Sequence, residues 1–134
     1  MRNIKLYILL IVIAGGLLSC KKEVPYAEVG STEVEIIYTS PLDGETVDGT
    51  QEFSVEARID ANAMMSGYRV TITNSNTGEI LDEVEDLYEQ TQYLVHHHWY
   101  PNINEITNVS VIIEALDQQM AILGSSEIKV NLSP

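Results

Sequence analysis

From Glu52 to Asp60 the sequence alternates without a break. Phe53, Val55, Ala57 and Ile59 are apolar, and Glu52, Ser54, Glu56, Arg58 and Asp60 between them are polar. A period of two sends one set to each face of a β-strand, whereas a helix would scatter the apolar set around its circumference. The same period returns at Val34-Ile36-Tyr38, Tyr68-Val70-Ile72, Tyr93-Val95, Val109-Val111-Ile113-Ala115 and Ser126-Ile128-Val130-Leu132. A polar face and an apolar face on each strand is the requirement of an antiparallel sheet wet on one side.

Turn residues divide these runs. Ser40-Pro41-Leu42-Asp43-Gly44 ends the first, Asp48-Gly49 carries the residue types of a tight hairpin, and Asn74-Ser75-Asn76-Thr77-Gly78 and Asp117-Gln118-Gln119 mark two more turns. The segment from Glu79 to Glu89 also fits helical spacing, with Ile80, Leu81, Val84, Leu87 and Tyr88 on one side. Thr77-Gly78 before it and its β-rich surroundings favour strand, then loop. Counting Glu79 to Val84, the chain has about seven strands in roughly a hundred residues, which predicts an all-β, antiparallel two-sheet sandwich.

The first twenty residues, MRNIKLYILLIVIAGGLLSC, follow another logic. Arg2 and Lys5 precede an apolar core and a small-residue joint, the anatomy of a cleaved signal peptide. The uncharged stretch from Leu6 to Leu18 has 13 residues, short of the about 20 that span a bilayer. Leu17-Leu18-Ser19-Cys20 resembles the lipobox of bacterial lipoproteins. The resemblance implies cleavage after Ser19 and lipidation of Cys20, the single cysteine of the chain. Acyl chains contribute about 0.8 kcal/mol per buried methylene, so more than one of them holds a protein on a membrane without a spanning helix. Cleavage removes Arg2 and Lys5 and leaves the mature chain more acidic still.

Residues 20–31 then read as the lipidated cysteine and a flexible tether, and residues 32–134 as one folded domain. Fully stretched, the tether reaches roughly 35 Å at about 3.3 Å per residue. Lys21-Lys22-Glu23 resembles, in part, the surface-export signal of Bacteroidetes lipoproteins; the lipobox implies the cell envelope, most simply the outer membrane, and leaves periplasmic and surface faces open. The pattern Pro41-x-x-Gly44-x-x-Val47-x-Gly49, an alternating strand, then Ala115-Leu116-Asp117 before the last hairpin resembles bacterial immunoglobulin-like and fibronectin type III-like modules. Sandwich and lipobox together resemble small lipoproteins of the Bacteroidetes, a likeness that supplies no catalytic residues.

Twenty acidic side chains against seven basic ones give a formal charge of −13. That excludes nucleic acid as the main partner, since phosphate backbones demand Lys/Arg patches. A lone cysteine rules out an internal disulfide or a CxxC site. No G-x-S-x-G, H-E-x-x-H or Gly-rich phosphate loop occurs, so the chain is expected to be non-catalytic.

Three features could bind something. In His96-His97-His98, a strand sends His96 and His98 to one face with Leu94 and His97 to the other with Tyr93, Val95 and Trp99. Imidazoles at i and i+2 lie roughly 7 Å apart and can chelate copper, nickel or zinc, with His97 or an acidic loop assisting. Asp43, Glu45 and Asp48, then Asp60 and Asn62, then Asp82 to Asp86 offer oxygens for calcium, without the spacing of an EF-hand. Trp99 and Tyr100, with Tyr88 and Tyr26, could stack on a sugar, Tyr100 from a loop and Trp99 more naturally in the core. The expected function is a lipid-anchored envelope module that binds or scaffolds a protein or glycan, with no resident cofactor. The alternative is a metal-binding envelope lipoprotein using His96 and His98.

Overall fold

The computed structural model describes residues 31–134; the expected signal peptide, Cys20, Lys21-Lys22 and Tyr26 lie outside the described residues. Eight strands follow in order: β1 Val34–Ser40, β2 Thr46–Asp48, β3 Phe53–Met65, β4 Gly67–Asn74, β5 Ile80–Asp86, β6 Gln90–Trp99, β7 Thr107–Leu116 and β8 Ile122–Ser133. They form a three-stranded sheet, β1-β3-β6, and a five-stranded sheet, β2-β8-β7-β4-β5. Every pairing is antiparallel except that of β2 with β8. This is the expected immunoglobulin-like sandwich. Among the described residues no helix is long and apolar enough to cross a membrane.

The alternation read in the sequence is the alternation of burial. Phe53, Val55, Ala57 and Ile59 of β3 face Tyr93 and Val95 of β6 within one sheet. Val70 and Ile72, Val109 to Ala115 at every second position, and Ile128, Val130 and Leu132 meet them from the other. Each Val, Ile, Leu or Phe among them removed from water contributes about 1.5–3 kcal/mol. The segment after Thr77-Gly78 is strand, as expected, with Val84 of β5 paired to Val70 of β4. A helix there would leave β4 without a neighbour on that side.

Two expectations change. The strands number eight, because Thr46–Asp48 forms a three-residue parallel pairing with the end of β8. Asp48-Gly49 therefore does not turn a hairpin. Asp48 Oδ1 accepts from Thr50 N at 2.9 Å and Thr50 Oγ1 at 2.6 Å, and Gly49 packs where a Cβ would fall 2.4 Å from Ile103. Three residues carry too little alternation to announce a strand.

Connections gather at two ends. Residues 41–45, 75–79 and 100–106 lie at one, together with the start of β3. The crossing at Ser66, the loop 87–89 and the turn 117–121 lie at the other, where β1 begins and Glu33 N donates to Asn62 Oδ1 at 2.9 Å. Asp117 Oδ1 accepts from both Gln119 N and Ala121 N at 2.8 Å, which fixes the last hairpin.

Candidate functional site

The outer face of the three-stranded sheet assembles in rows, because directly paired residues place their Cβ atoms about 4.5–5.5 Å apart. Glu35, Asp60 and Gln92 form one row, and Ile37, Arg58 and Leu94 the next. Glu56 then pairs with His96, and Ser54 with His98. Ile37 is 40% exposed and Leu94 62%, so the middle row sets two apolar side chains in water on either side of an arginine. Between them runs a cleft of about 290 Å³, lined by Ile37, Thr39, Glu56, Arg58, Leu94 and His96.

Charges on this face are held in place. Arg58 Nε lies 2.6 Å from Asp60 Oδ2, and Gln92 Nε2 donates to Asp60 Oδ1 at 2.5 Å. The bond from Gln92, reinforced by Arg58, holds the Asp60 carboxyl below the usual carboxylate range. Farther along, Glu52 gathers two of the residues singled out in the sequence. One carboxylate oxygen pairs with His98 Nδ1, and the other accepts from the Tyr100 hydroxyl at 2.8 Å. That bond and the negative charge of Glu52 push the Tyr100 phenol up. His96 turns Nδ1 toward Glu56 Oε1 at 4.0 Å. Ser54, across from His98, has a buried hydroxyl with no hydrogen-bond partner among the described residues.

Alternation sends His97 the other way. Its Nε2 pairs with Asp82 Oδ2 of β5, in the opposite sheet. The three histidines are thus two exposed ones on one face and a part-buried one on the other. Trp99 lies half-buried and edge-on to Phe53, with ring centroids 5.9 Å apart, while Tyr100 is 70% exposed. Tyr88 is at the far end of β6, packed against Tyr93 at 4.9 Å, so it does not join Tyr100 in one aromatic platform.

The acidic clusters spend their oxygens on neighbouring groups, and Asp82 to Asp86 lie on strand β5 rather than in a loop. Asp43 accepts from Lys129 N, Glu45 from Leu42 N, and Asp82, Glu83, Glu85 and Asp86 serve His97, Thr71, Arg69 and Tyr68. Among the described residues no three His, Cys, Asp or Glu converge as a metal-holding group. Glu52 and Glu56 were not singled out in the sequence. Nothing local marks them, since their histidine partners stand 40 or more residues away in the chain.

No protein-family model matches the chain, and no curated protein matches it either. Among solved structures it is similar to the fibronectin(III)-like modules of Clostridium thermocellum CbhA, at 17% identity and a TM-score of 0.41, over 74% of this chain and 96% of that one.

Proposed function

We propose that this protein is a lipid-anchored module of the bacterial cell envelope that binds or scaffolds a partner, a protein or a glycan, and performs no catalysis itself. The observation that carries the reading is the row Ile37-Arg58-Leu94. Exposed apolar side chains ringed by fixed charges, on an otherwise acidic surface, are the signature of a contact surface rather than of a reaction centre. Arg58, Arg69 and Lys129 are the only Lys or Arg from residue 31 onward, so the arginine in that row is a rare cationic handle. Tyr100, exposed at the strand end beside Glu52, adds a stacking and hydrogen-bonding group for a sugar or peptide. Cys20 supports the anchor through its lipobox setting, and the outer membrane is the destination that setting favours.

The binding face is tested with photo-crosslinking side chains placed at residues 37 and 94 in the native envelope, with residue 122 as an exposed control, alongside a glycan panel. Adducts or glycan retention that depend on residues 37 and 94 support the reading. Equal labelling from residue 122, with no glycan retained, overturns it. The anchor is tested separately: Cys20→Ala should abolish palmitate incorporation, and normal labelling of that variant would sink it.

A further inference from the structure

We infer that His96 and His98 of β6 form a transition-metal site completed by the same two residues of a second copy of this chain. The two copies pair antiparallel along their β6 edges about a two-fold axis through His97. This goes beyond the proposed binding face and does not depend on it.

β6 ends the three-stranded sheet, and its outer edge has no strand partner among the described residues. Such an edge offers a row of backbone donors and acceptors to another strand unless charge or proline guards it. From Gln90 to Trp99 there is no Asp, Glu, Lys, Arg or Pro. The neighbouring edge, β5, carries Asp82, Glu83, Glu85 and Asp86. β6 is therefore an edge with no charge of its own, and in a chain of formal charge −13 a cation bound there offsets the repulsion between two copies.

The register supplies the site. Antiparallel pairing centred on His97 sets His96 of each copy opposite His98 of the other. On one face the four imidazoles then stand at the corners of a rectangle, about 5 Å across the strands and roughly 7 Å along them. One copy contributes two ligands, too few alone, as the absence of a three-donor group among the described residues reflects.

Both side chains are open to a ligand, at 62% and 55% exposure. Each has its Nδ1 edge toward a glutamate, Glu56 or Glu52, which leaves Nε2 as the coordinating atom. Glu52, in contact with His98 Nδ1, is placed like the carboxylates that orient metal-binding histidines, while Glu56 stands 4.0 Å from His96 Nδ1, beyond hydrogen-bond distance. Imidazole suits zinc, copper and nickel, and four nitrogens in a near-planar set favour copper(II) or nickel(II). His97, engaged by Asp82 on the opposite face, takes no part in coordination.

Copper(II) titrated into the full-length chain in detergent, followed by electron paramagnetic resonance and native mass spectrometry, tests this. Expected are one copper per two chains, a doubled mass reversed by EDTA, and hyperfine structure from four nitrogens. His96→Gln with His98→Gln should lose all three, whereas His97→Gln keeps them. A one-to-one complex with two nitrogens, a dimer indifferent to EDTA or to the double substitution, or no copper bound overturns the inference.

Discussion

His97 of β6 and Asp82 of β5 hydrogen-bond across the gap between the two sheets, on the side of the sandwich where both sheets end. Tyr38 of β1 does the same on the opposite side, where its hydroxyl donates toward Val111 O at 3.0 Å and Ser126 O at 2.7 Å. Apolar contacts hold the middle of the sandwich. Its lateral openings are closed by polar groups, which tolerate the water that reaches them.

The first clasp should contribute measurably to stability. The side chains of His97 and Asp82 are 16% and 29% exposed, so the pair is partly shielded from solvent. Hydrogen bonds to charged groups contribute about 1.5–3 kcal/mol, and exposed pairs far less. His97→Ala and Asp82→Ala should each lower the urea unfolding free energy by about 1–2 kcal/mol. In a double-mutant cycle the two should couple by about 1 kcal/mol. Strict additivity would show that the contact does not bind the sheets together.

Tyr38→Phe keeps the ring and removes only the hydroxyl. Val111 O and Ser126 O each lose a donor, and the expected cost is about 1–2 kcal/mol. Burial pushes the Tyr38 phenol far up, as befits a group whose proton is committed. Unchanged stability in Tyr38→Phe would mean that water replaces the hydroxyl at no cost.

Most of the architecture was written in period two. Phe53 to Ile59 and Val109 to Ala115 announce which side chains go inside, because a strand has only two faces and one is apolar. The opposed faces of His96 and His97 follow from the same rule. What pairs with them does not. Glu52 reaches His98 through the pairing of β3 with β6, which are far apart in the chain, and Asp82 reaches His97 across the gap between the sheets after the short loop 87–89. Neither contact leaves a local signature, and β2 is too short to show a period at all. The turn residues Asp48-Gly49 misled because their chemistry also suits a loop in which Asp48 caps Thr50.

Gly67 permits the tight crossing from one sheet to the other. A Cβ there would lie 2.6 Å from Asp86 O and 2.7 Å from Leu87 Cδ2. Gly78 has open space around it but sits at φ +74°, where a side chain costs about 1 kcal/mol. Gly67→Ala should therefore destabilise more than Gly78→Ala, by about 2–3 kcal/mol against about 1 in thermal or urea unfolding. Equal losses would show that β4 and the end of β5 can move apart freely.

The tyrosine cluster at the other end of β6 predicts an alkaline limit to stability. Tyr68 is buried, its ring 5.2 Å from that of Tyr93, and its hydroxyl lies 3.4 Å from Asp86 Oδ2. Burial first, and the Asp86 charge second, push its phenol from 10.0 up to about 12. A folded pKa above the unfolded one means that the fold prefers the protonated form. Its contribution is therefore complete below pH 10.0 and is lost as the pH climbs from there through about 12. The loss for this one group is on the order of 2 kcal/mol. Tyrosinate absorbance should rise later in the native protein than in concentrated urea, and the unfolding free energy should fall over the same interval. Tyr68→Phe should flatten that fall. If the variant loses stability with pH as steeply as the parent, the alkaline limit belongs to other tyrosines, Tyr38 and Tyr93 first, since burial raises both.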